Sequence, residues 1–401
     1  MSHEPGVSSF FAAITGVGLL TPLGDTLEGL HGRLGEGQHA IPKAADLPIK
    51  LGACIEDLDV SRYATVRGMR VYNRTTQLAI CAAKRALDDA KLDTSLAAGE
   101  RVGLIMASTF GHLDTLITYD RSLVSNGVAR TNPALMPLAH GGAPGAATAL
   151  AFNAKAFSVT LSNGSTSSLD ALGLAGRLLA DGRADACVVV SAFSPFQEFW
   201  LSADRAGFLA REELRVFDKR RQGTVLGEAA VALVLERPES LRARGGSALG
   251  FMRGQASAFA ADEGQRAGRL CRASREALSL SGVAPHELSL VSSGASGSIK
   301  GDLIEGQALT ALFAGGPSNT PIIAVKANLG DALDASGLLQ TAVALEALRV
   351  GTAPKIAGLE APETEGLRYL TQSTSIETRH ALITAAWQAG PCSAVVVSTL
   401  S

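Results

Sequence analysis

Apolar runs with the length of β-strands alternate with helix-like segments along this 401-residue chain. Several of the runs are apolar at every position, as is typical of strands that are covered on both faces. Helices must then lie on both sides of the sheet, so the pattern predicts a layered α/β fold. The runs are GLIMAS (103–108), FSVTLS (157–162), ACVVVSAF (186–193), AAVALVLE (229–236), LSLVSS (288–293), PIIAVKA (321–327) and SAVVVSTL (393–400).

Three of the intervening segments have the apolar spacing of helices that pack against a sheet. In the segment 167–182, Leu169, Leu172 and Leu179 form the apolar stripe, and Gly182 follows the predicted end of the helix. The segments 73–92 and 337–351 show the same spacing.

The chain is long enough for two substantial α/β units, and its composition indicates where they divide. The polar stretch RPESLRARGGSA (237–248) interrupts the alternation, after which strands and helices begin again. Before this stretch, and again at the end of the chain, small residues lead into a run rich in Val. We therefore predict an internal duplication, with one half at residues 10–245 and the other at residues 246–401.

Charge and composition exclude several classes of protein. The net charge of -2 leaves no excess of Lys and Arg to follow a phosphate backbone, so we predict that no nucleic acid is bound. No apolar run reaches the roughly 18 residues of a membrane span, and the N-terminus lacks the cationic start of a signal peptide. The five cysteines and seven histidines show no metal-ligand spacing. We expect a cytoplasmic protein with reduced thiols, without membrane insertion, metal or cofactor.

The segment SNGSTSSLDAL (162–172) forms a polar turn between an apolar run and a predicted helix, with Ser165 at its centre. Such a turn lies at a helix N-terminus, where free N–H groups and the helix dipole favour negative charge. It therefore suits a thiolate or an oxyanion. Ser162, Thr166 and Ser167 are also predicted to cap the helix, as Ser and Thr commonly do.

Five segments resemble, in the same order, segments of the β-ketoacyl-acyl carrier protein synthases. The turn segment VTLSNGSTSSLDAL is similar to VSTACSSSLDAL of that family. The resemblance covers nearly the whole chain and implies the family's thiolase-like fold, in which two duplicated α/β halves form αβαβα layers. The other four segments are VFDKRRQGTVLGEAAVALVLE (216–236), SSGASGSIKGDLIE (292–305), VKANLGDALDASG (325–337) and AAWQAGPCSAVVV (385–397).

The resemblance also shows which catalytic residues this chain lacks. Ser165 stands where the family has its nucleophilic cysteine, and Gly294 and Asp331 stand where it has two histidines. Lys326 is retained. A serine hydroxyl needs an adjacent general base, and a carboxylate beside a developing oxyanion opposes its stabilisation. We therefore predict that Ser165 fills the former cysteine pocket and caps its helix, and that Lys326 and Asp331 form an ion pair.

The loop that gates the active site in this family is altered as well. The family pattern FGFGG is replaced, and a Pro without an N–H takes the place of a permissive Gly. A gate that must move is not expected to be built in this way. The altered residues are Trp387, Gln388, Ala389 and Pro391.

A ketosynthase without its cysteine and histidines resembles a chain-length factor, the noncatalytic subunit of type II polyketide or polyene synthases. The resemblance implies a heterodimer with an active ketosynthase, in which the strands equivalent to FSVTLS adjoin at the twofold axis. An acyl carrier protein would then be bound through the complex. Glu228, Asp302 and Glu305 match polar positions that we interpret as structural.

In this family, the region that enters the partner's acyl tunnel corresponds to residues 109–140. Its bulky side chains are candidates for the group that limits chain length, and each could equally be ordinary core or interface packing. The candidates are Phe110, Leu116, Tyr119 and Met136.

Three alternatives remain open. Ser165 could serve an acyltransferase or hydrolase with a base from elsewhere, such as His112 or His140. The chain could also be a homodimeric scaffold that binds acyl groups or carrier protein. A nucleotide-binding enzyme is the third alternative, but GVG (16–18) and GASGSIKG (294–301) complete no nucleotide motif and are better interpreted as turns.

Overall fold

The structure is a computed structural model, and it describes residues 12–42, 52–95, 98–314 and 319–399. The strands are β1 (Ala12–Leu20), β2 (Val102–Ala107), β3 (Ser158–Leu161), β4 (Ala186–Phe193), β5 (Ala229–Glu236), β6 (Gly250–Phe259), β7 (Leu288–Ser292), β8 (Pro321–Ile323), β9 (Thr352–Ala353), β10 (Arg368–Tyr369), β11 (Thr374–Ser375), β12 (His380–Ala386) and β13 (Pro391–Ser398). The helices are α1 (Leu27–Glu36), α2 (Arg74–Ala90), α3 (Leu113–Asn126), α4 (Ala143–Ala151), α5 (Ser167–Ala180), α6 (Gln197–Arg205), α7 (Pro238–Ala243), α8 (Arg266–Ser281), α9 (Ile299–Leu312), α10 (Lys326–Leu329) and α11 (Ser336–Val350).

The strand order contains an internal repeat. Eleven strands form one hydrogen-bonded sheet in the order β10-β8-β7-β12-β13-β6-β1-β5-β4-β2-β3. The order β1-β5-β4-β2-β3 recurs as β6-β13-β12-β7-β8, and the neighbours are antiparallel, antiparallel, parallel and parallel in both copies. The second copy of this strand order begins with β6. The division of the chain into halves between residues 245 and 246 stays a prediction.

The helices form three layers around the two copies of the strand order. Helices α5 and α11 pack against each other and against strands of both copies, while α2 covers β1 and β5, and α8 covers β6 and β13. Every residue of α11 from Ser336 to Leu348 is buried, as is typical of a helix at the centre of a large core. The predicted thiolase-like fold with αβαβα layers is confirmed.

Most predicted strands are present, and those at 186–193 and 229–236 have the predicted bounds. The strand predicted at 321–327 is wrong in its second part, because the strand ends at Ile323 and α10 begins at Lys326. A short apolar run does not distinguish a buried strand from a buried helical turn. Gly330, at φ 74°, ends α10 with its N–H bonded to the Lys326 carbonyl. No helix in the described parts of the chain is long and apolar enough to cross a membrane.

Candidate functional site

The turn around Ser165 is a single 3-10 turn, Gly164–Thr166, between β3 and α5. Gly164 has φ 61°, and a Cβ atom there would lie 2.5 Å from the Trp387 ring, so the turn requires glycine. Ser165 is buried, and its Oγ has no hydrogen-bond partner among the described residues. The hydroxyl is therefore not activated by a neighbouring base.

The prediction that the serine and threonine hydroxyls of residues 162–167 cap α5 is wrong. The N-cap residue is Thr166, and it makes no capping hydrogen bond through its side chain. Its Oγ1 instead donates to the Asn163 carbonyl (3.1 Å), while Ser167 Oγ accepts from the Asn163 N–H (2.7 Å). The carbonyl of Gly164 accepts the Ser167 N–H, so the 3-10 turn itself provides the partner that a cap would provide.

Asp334 holds this turn in place, and the sequence analysis missed it. Its carboxylate accepts from Thr109 N (2.8 Å), Thr109 Oγ1 (2.7 Å) and Ser167 Oγ (2.9 Å). Thr109 Oγ1 in turn accepts from the Gly164 N–H (2.9 Å). Burial raises the pKa of the Asp334 carboxyl, and the hydrogen bonds from Thr109 oppose this shift. One signal was available: Asp334 is an acid placed between the apolar residues Leu333 and Ala335.

The predicted ion pair between Lys326 and Asp331 is confirmed. The Lys326 Nζ and Asp331 Oδ1 atoms are 3.0 Å apart, and both side chains are buried. Asp331 Oδ1 also accepts from Leu333 N (3.0 Å) and Ser336 Oγ (3.1 Å). The pair and its hydrogen bonds explain how a carboxylate is tolerated in a buried position.

Gly294 lies so close to its neighbours that no side chain fits there without a shift. A Cβ atom at this position would lie 2.8 Å from the Thr384 carbonyl oxygen and 2.9 Å from Glu305 Oε1. Glu305 Oε2 accepts from Ser293 Oγ (2.9 Å) and Thr384 Oγ1 (2.7 Å). Burial raises the pKa of Glu305, while these two hydrogen bonds and the charge of Lys326 oppose the shift. The position that the sequence analysis aligned with the family's first histidine is thus closed by packing.

Several of these residues line one cavity of about 800 Å³. Ser165, Gly294, Lys326 and Asp331 all lie in its wall, as does Trp387 of the predicted gate loop. No histidine lines this cavity in the part of the chain that the structure describes.

The histidines that were candidate bases for Ser165 lie elsewhere. His112 and His140 are both near the backbone of 141–142, and neither is part of the cavity wall. Burial lowers the pKa of His112, and the nearby His140 adds to this effect. The structure therefore brings neither of these two histidines to Ser165.

The loop 387–391, which the sequence analysis predicted to correspond to the family's gate, is held by several hydrogen bonds. Trp387 N donates to Pro391 O (2.8 Å), and Gly390 N donates to Trp387 O (3.0 Å). Arg266 Nη2 donates to the Gln388 carbonyl (3.0 Å). Ala389, at the tip, is exposed. With Trp387 packed on Gly164, the loop closes over the turn.

The candidate tunnel residues occupy two different places. Phe110 lines the cavity, and its ring lies 5.0 Å from that of Phe199. Leu116 and Met136 are 37% and 58% exposed, and Tyr119 is partly buried. Leu116 and Tyr119 belong to α3, which has no fully buried residue. Packing in the core of this chain is therefore excluded for Leu116 and Met136, and the tunnel role of all four remains a prediction.

Family models match both parts of the chain. The model described as "Beta-ketoacyl synthase, N-terminal domain" matches residues 12–240, and the model described as "Beta-ketoacyl synthase, C-terminal domain" matches residues 249–360. One curated relative is "3-oxoacyl-[acyl-carrier-protein] synthase 2" of Synechocystis sp., which is 27% identical over 371 residues, or 88% of each chain.

Solved structures of similar fold include proteins of polyketide synthesis. The structure described as "The ishigamide ketosynthase/chain length factor" superposes with a TM-score of 0.89 at 21% identity, covering 98% of this chain and 100% of that chain. A type II polyketide synthase acyl-carrier protein in complex with its ketosynthase, AntDE:AntF, gives a TM-score of 0.86 at 21% identity with the same coverage. At this identity the likeness establishes the fold.

Proposed function

Because the chain belongs to the β-ketoacyl synthase family, we propose that it is a noncatalytic chain-length factor that pairs with an active β-ketoacyl synthase. In type II polyketide or aryl polyene synthesis, it would shape the acyl tunnel and so set the length of the product. The observation that carries this proposal is the composition of the cavity around Ser165. Among the described residues, neither a cysteine nor a histidine lines this cavity, and the Lys326–Asp331 ion pair lies in its wall.

Among its described residues, the cavity lacks the chemical groups that each step of the family's reaction requires. Transfer of an acyl group onto the enzyme needs a thiolate or an activated hydroxyl, and Ser165 Oγ has no hydrogen-bonded base among the described residues. Condensation needs donors for the developing oxyanion, whereas Asp331 and Glu305 bring carboxyl groups to the cavity. Lys326, the retained cation, is bound to Asp331. Groups of this kind act as a unit, so the loss of several leaves little catalysis.

One surface supports the association with a second subunit. The strand β3 lies at the end of the sheet and pairs with β2 alone among the described strands. None of its residues is fully buried, although every residue of β4 and β5 is. An unpaired edge favours pairing with another chain. Exposed apolar side chains occur in the neighbouring segments α3, α4 and 127–140, namely Val124, Val128, Met136 and Leu150.

The partner is tested by the native mass of the tagged protein isolated from its own host, followed by identification of copurifying chains. We expect a one-to-one complex with a ketosynthase that has an intact cysteine and two histidines. The carrier protein would bind through this complex, chiefly on the active subunit. A homodimer without such a partner would overturn the proposal and favour the homodimeric acyl-binding scaffold.

Replacing Ser165 by Ala is expected to leave product formation by the complex unchanged. The side chain makes no hydrogen bond among the described residues, so its loss removes little stability and no activated nucleophile. Product yield with wild-type and variant complexes, at equal complex concentration, provides the measurement. Loss of condensation by an assembled complex would identify Ser165 as an acyl carrier, as would covalent labelling of the wild type by an acyl thioester.

Single Ala substitutions at Phe110, Leu116, Tyr119 and Met136 test the tunnel. At least one is expected to lengthen the product, because removing the group that stops the chain allows further extension. Product length is read by mass spectrometry. Val350→Ala is the control, because Val350 is 51% exposed at the end of α11 and belongs to the second half of the chain. Unchanged length for all four variants would remove the tunnel assignment.

A further inference from the structure

The cavity around Ser165 is large enough for a small molecule even though its catalytic groups are absent. Its volume of about 800 Å³ lies in the usual range of ligand pockets. Much of its wall is apolar and comes from segments far apart in the sequence: Phe199, Phe208, Leu209, Ile304 and Leu333. Such a wall accommodates an apolar chain or ring system.

Three cations line the cavity, and one of them has no counter-ion. Lys326 is paired with Asp331 at 3.0 Å, and Lys300 is paired with Glu263 at 3.0 Å. Arg266 is only 9% exposed and has no carboxylate within 4.0 Å among the described residues. Its Nε–H is buried without an acceptor. A buried charge without a partner is unfavourable unless something else compensates it.

The contact of Arg266 with the gate loop does not account for this charge. Arg266 Nη2 donates one hydrogen bond to the Gln388 carbonyl. A neutral amide side chain could donate the same bond without the cost of burying a charge. The hydrogen bond to Gln388 therefore does not explain why a charged group is buried here. The position of the guanidinium in the cavity wall suggests that it binds a ligand.

We propose that Arg266 and the apolar wall of the cavity form a binding site for a monocarboxylate with an apolar chain. The carboxylate would accept hydrogen bonds from the guanidinium, which suits the planar carboxylate group, and the chain would lie against Phe199 and Phe208. A doubly charged phosphate suits the site less well, because Glu263, Asp302 and Glu305 line the same cavity. The site involves noncovalent binding only and does not depend on the association with a ketosynthase.

Calorimetric titration of the full chain with decanoate and decanol tests this site. Decanoate is expected to bind at least about tenfold more tightly than decanol, because only the acid compensates the charge of Arg266. Arg266→Gln is expected to remove this preference, and Arg266→Lys to keep part of it. Arg242→Gln is the matched control, because Arg242 is 75% exposed, is paired with Glu239 and does not line the cavity.

Three outcomes would overturn the assignment: no binding of decanoate to the wild type, equal affinity for acid and alcohol, or unchanged decanoate binding by Arg266→Gln. The comparison of acid with alcohol uses the wild-type chain, so it decides the question even if a variant fails to fold. The native mass of the protein from its host is a separate measurement. Failure of the ligand site and failure of the chain-length-factor proposal can therefore be told apart.

Discussion

Replacing Lys326 by Met is expected to lower the free energy of unfolding by about 3 to 5 kcal/mol, because it leaves Asp331 as an unpaired buried charge. The two side chains are only 5% and 9% exposed, so water cannot replace the lost ammonium group. Two hydrogen bonds to Asp331 Oδ1 would remain, from Leu333 N and Ser336 Oγ. Urea unfolding followed by circular dichroism provides the measurement.

Lys300→Met is the matched control for this substitution. Lys300 and Glu263 are also 3.0 Å apart, but their side chains are 69% and 51% exposed, so the loss should be about 0.5 kcal/mol or less. The double variant Lys326→Met/Asp331→Leu should recover most of the stability, because it removes both charges together. Equal losses for Lys326→Met and Lys300→Met would contradict the conclusion that Lys326 stabilises Asp331 as a buried charge.

Replacing Asp334 by Asn is expected to cost about 2 to 4 kcal/mol and to loosen the turn around Ser165. The carboxylate accepts from three donors of Thr109 and Ser167, and an amide would place its own N–H groups against some of them. Asp262→Asn is the control, because Asp262 is an exposed N-cap where Asn serves equally well. A loss no larger than that of the control would show that Asp334 does not hold the turn.

The effect of Asp334 should also depend on pH in a defined direction. Burial raises the pKa of its carboxyl in the folded chain, so from about pH 4 upward the folded state keeps a proton that the unfolded state releases. The stability contributed by this group therefore falls as pH rises through that range. The advantage of the wild type over Asp334→Asn should be larger at low pH than at neutral pH, and an advantage that grows with pH would contradict the shift.

Several features of the site could be predicted because they depend on residue type alone. Ser165, Gly294 and Asp331 were singled out from the motifs around them, and the ion pair with Lys326 was predicted because a carboxylate beside the lysine needs a partner. The capping role of Ser165 was wrong, because whether a hydroxyl reaches an N–H depends on the exact turn, and a 3-10 turn changes that geometry.

Asp334 and Arg266 were missed because their roles arise from long-range contacts. Asp334 acts on Thr109, which is 225 positions away in the chain, and Arg266 reaches Gln388, which is 122 positions away. A motif describes residues that are neighbours in the sequence. It contains no information on the spatial distance between segments that are far apart in the chain.

By itself, the sequence determined the layered α/β fold and the types of side chain that the candidate site contains. Burial on both faces requires continuous apolar strands, and nucleophilic and acid–base chemistry requires particular side chains. Only the tertiary structure decided that Gly294 is closed by Thr384 and Glu305, that Asp334 holds the turn, and that Arg266 is buried without a counter-ion among the described residues. Those properties depend on distances of a few ångströms between distant segments, and these distances exist only once the two halves have packed together.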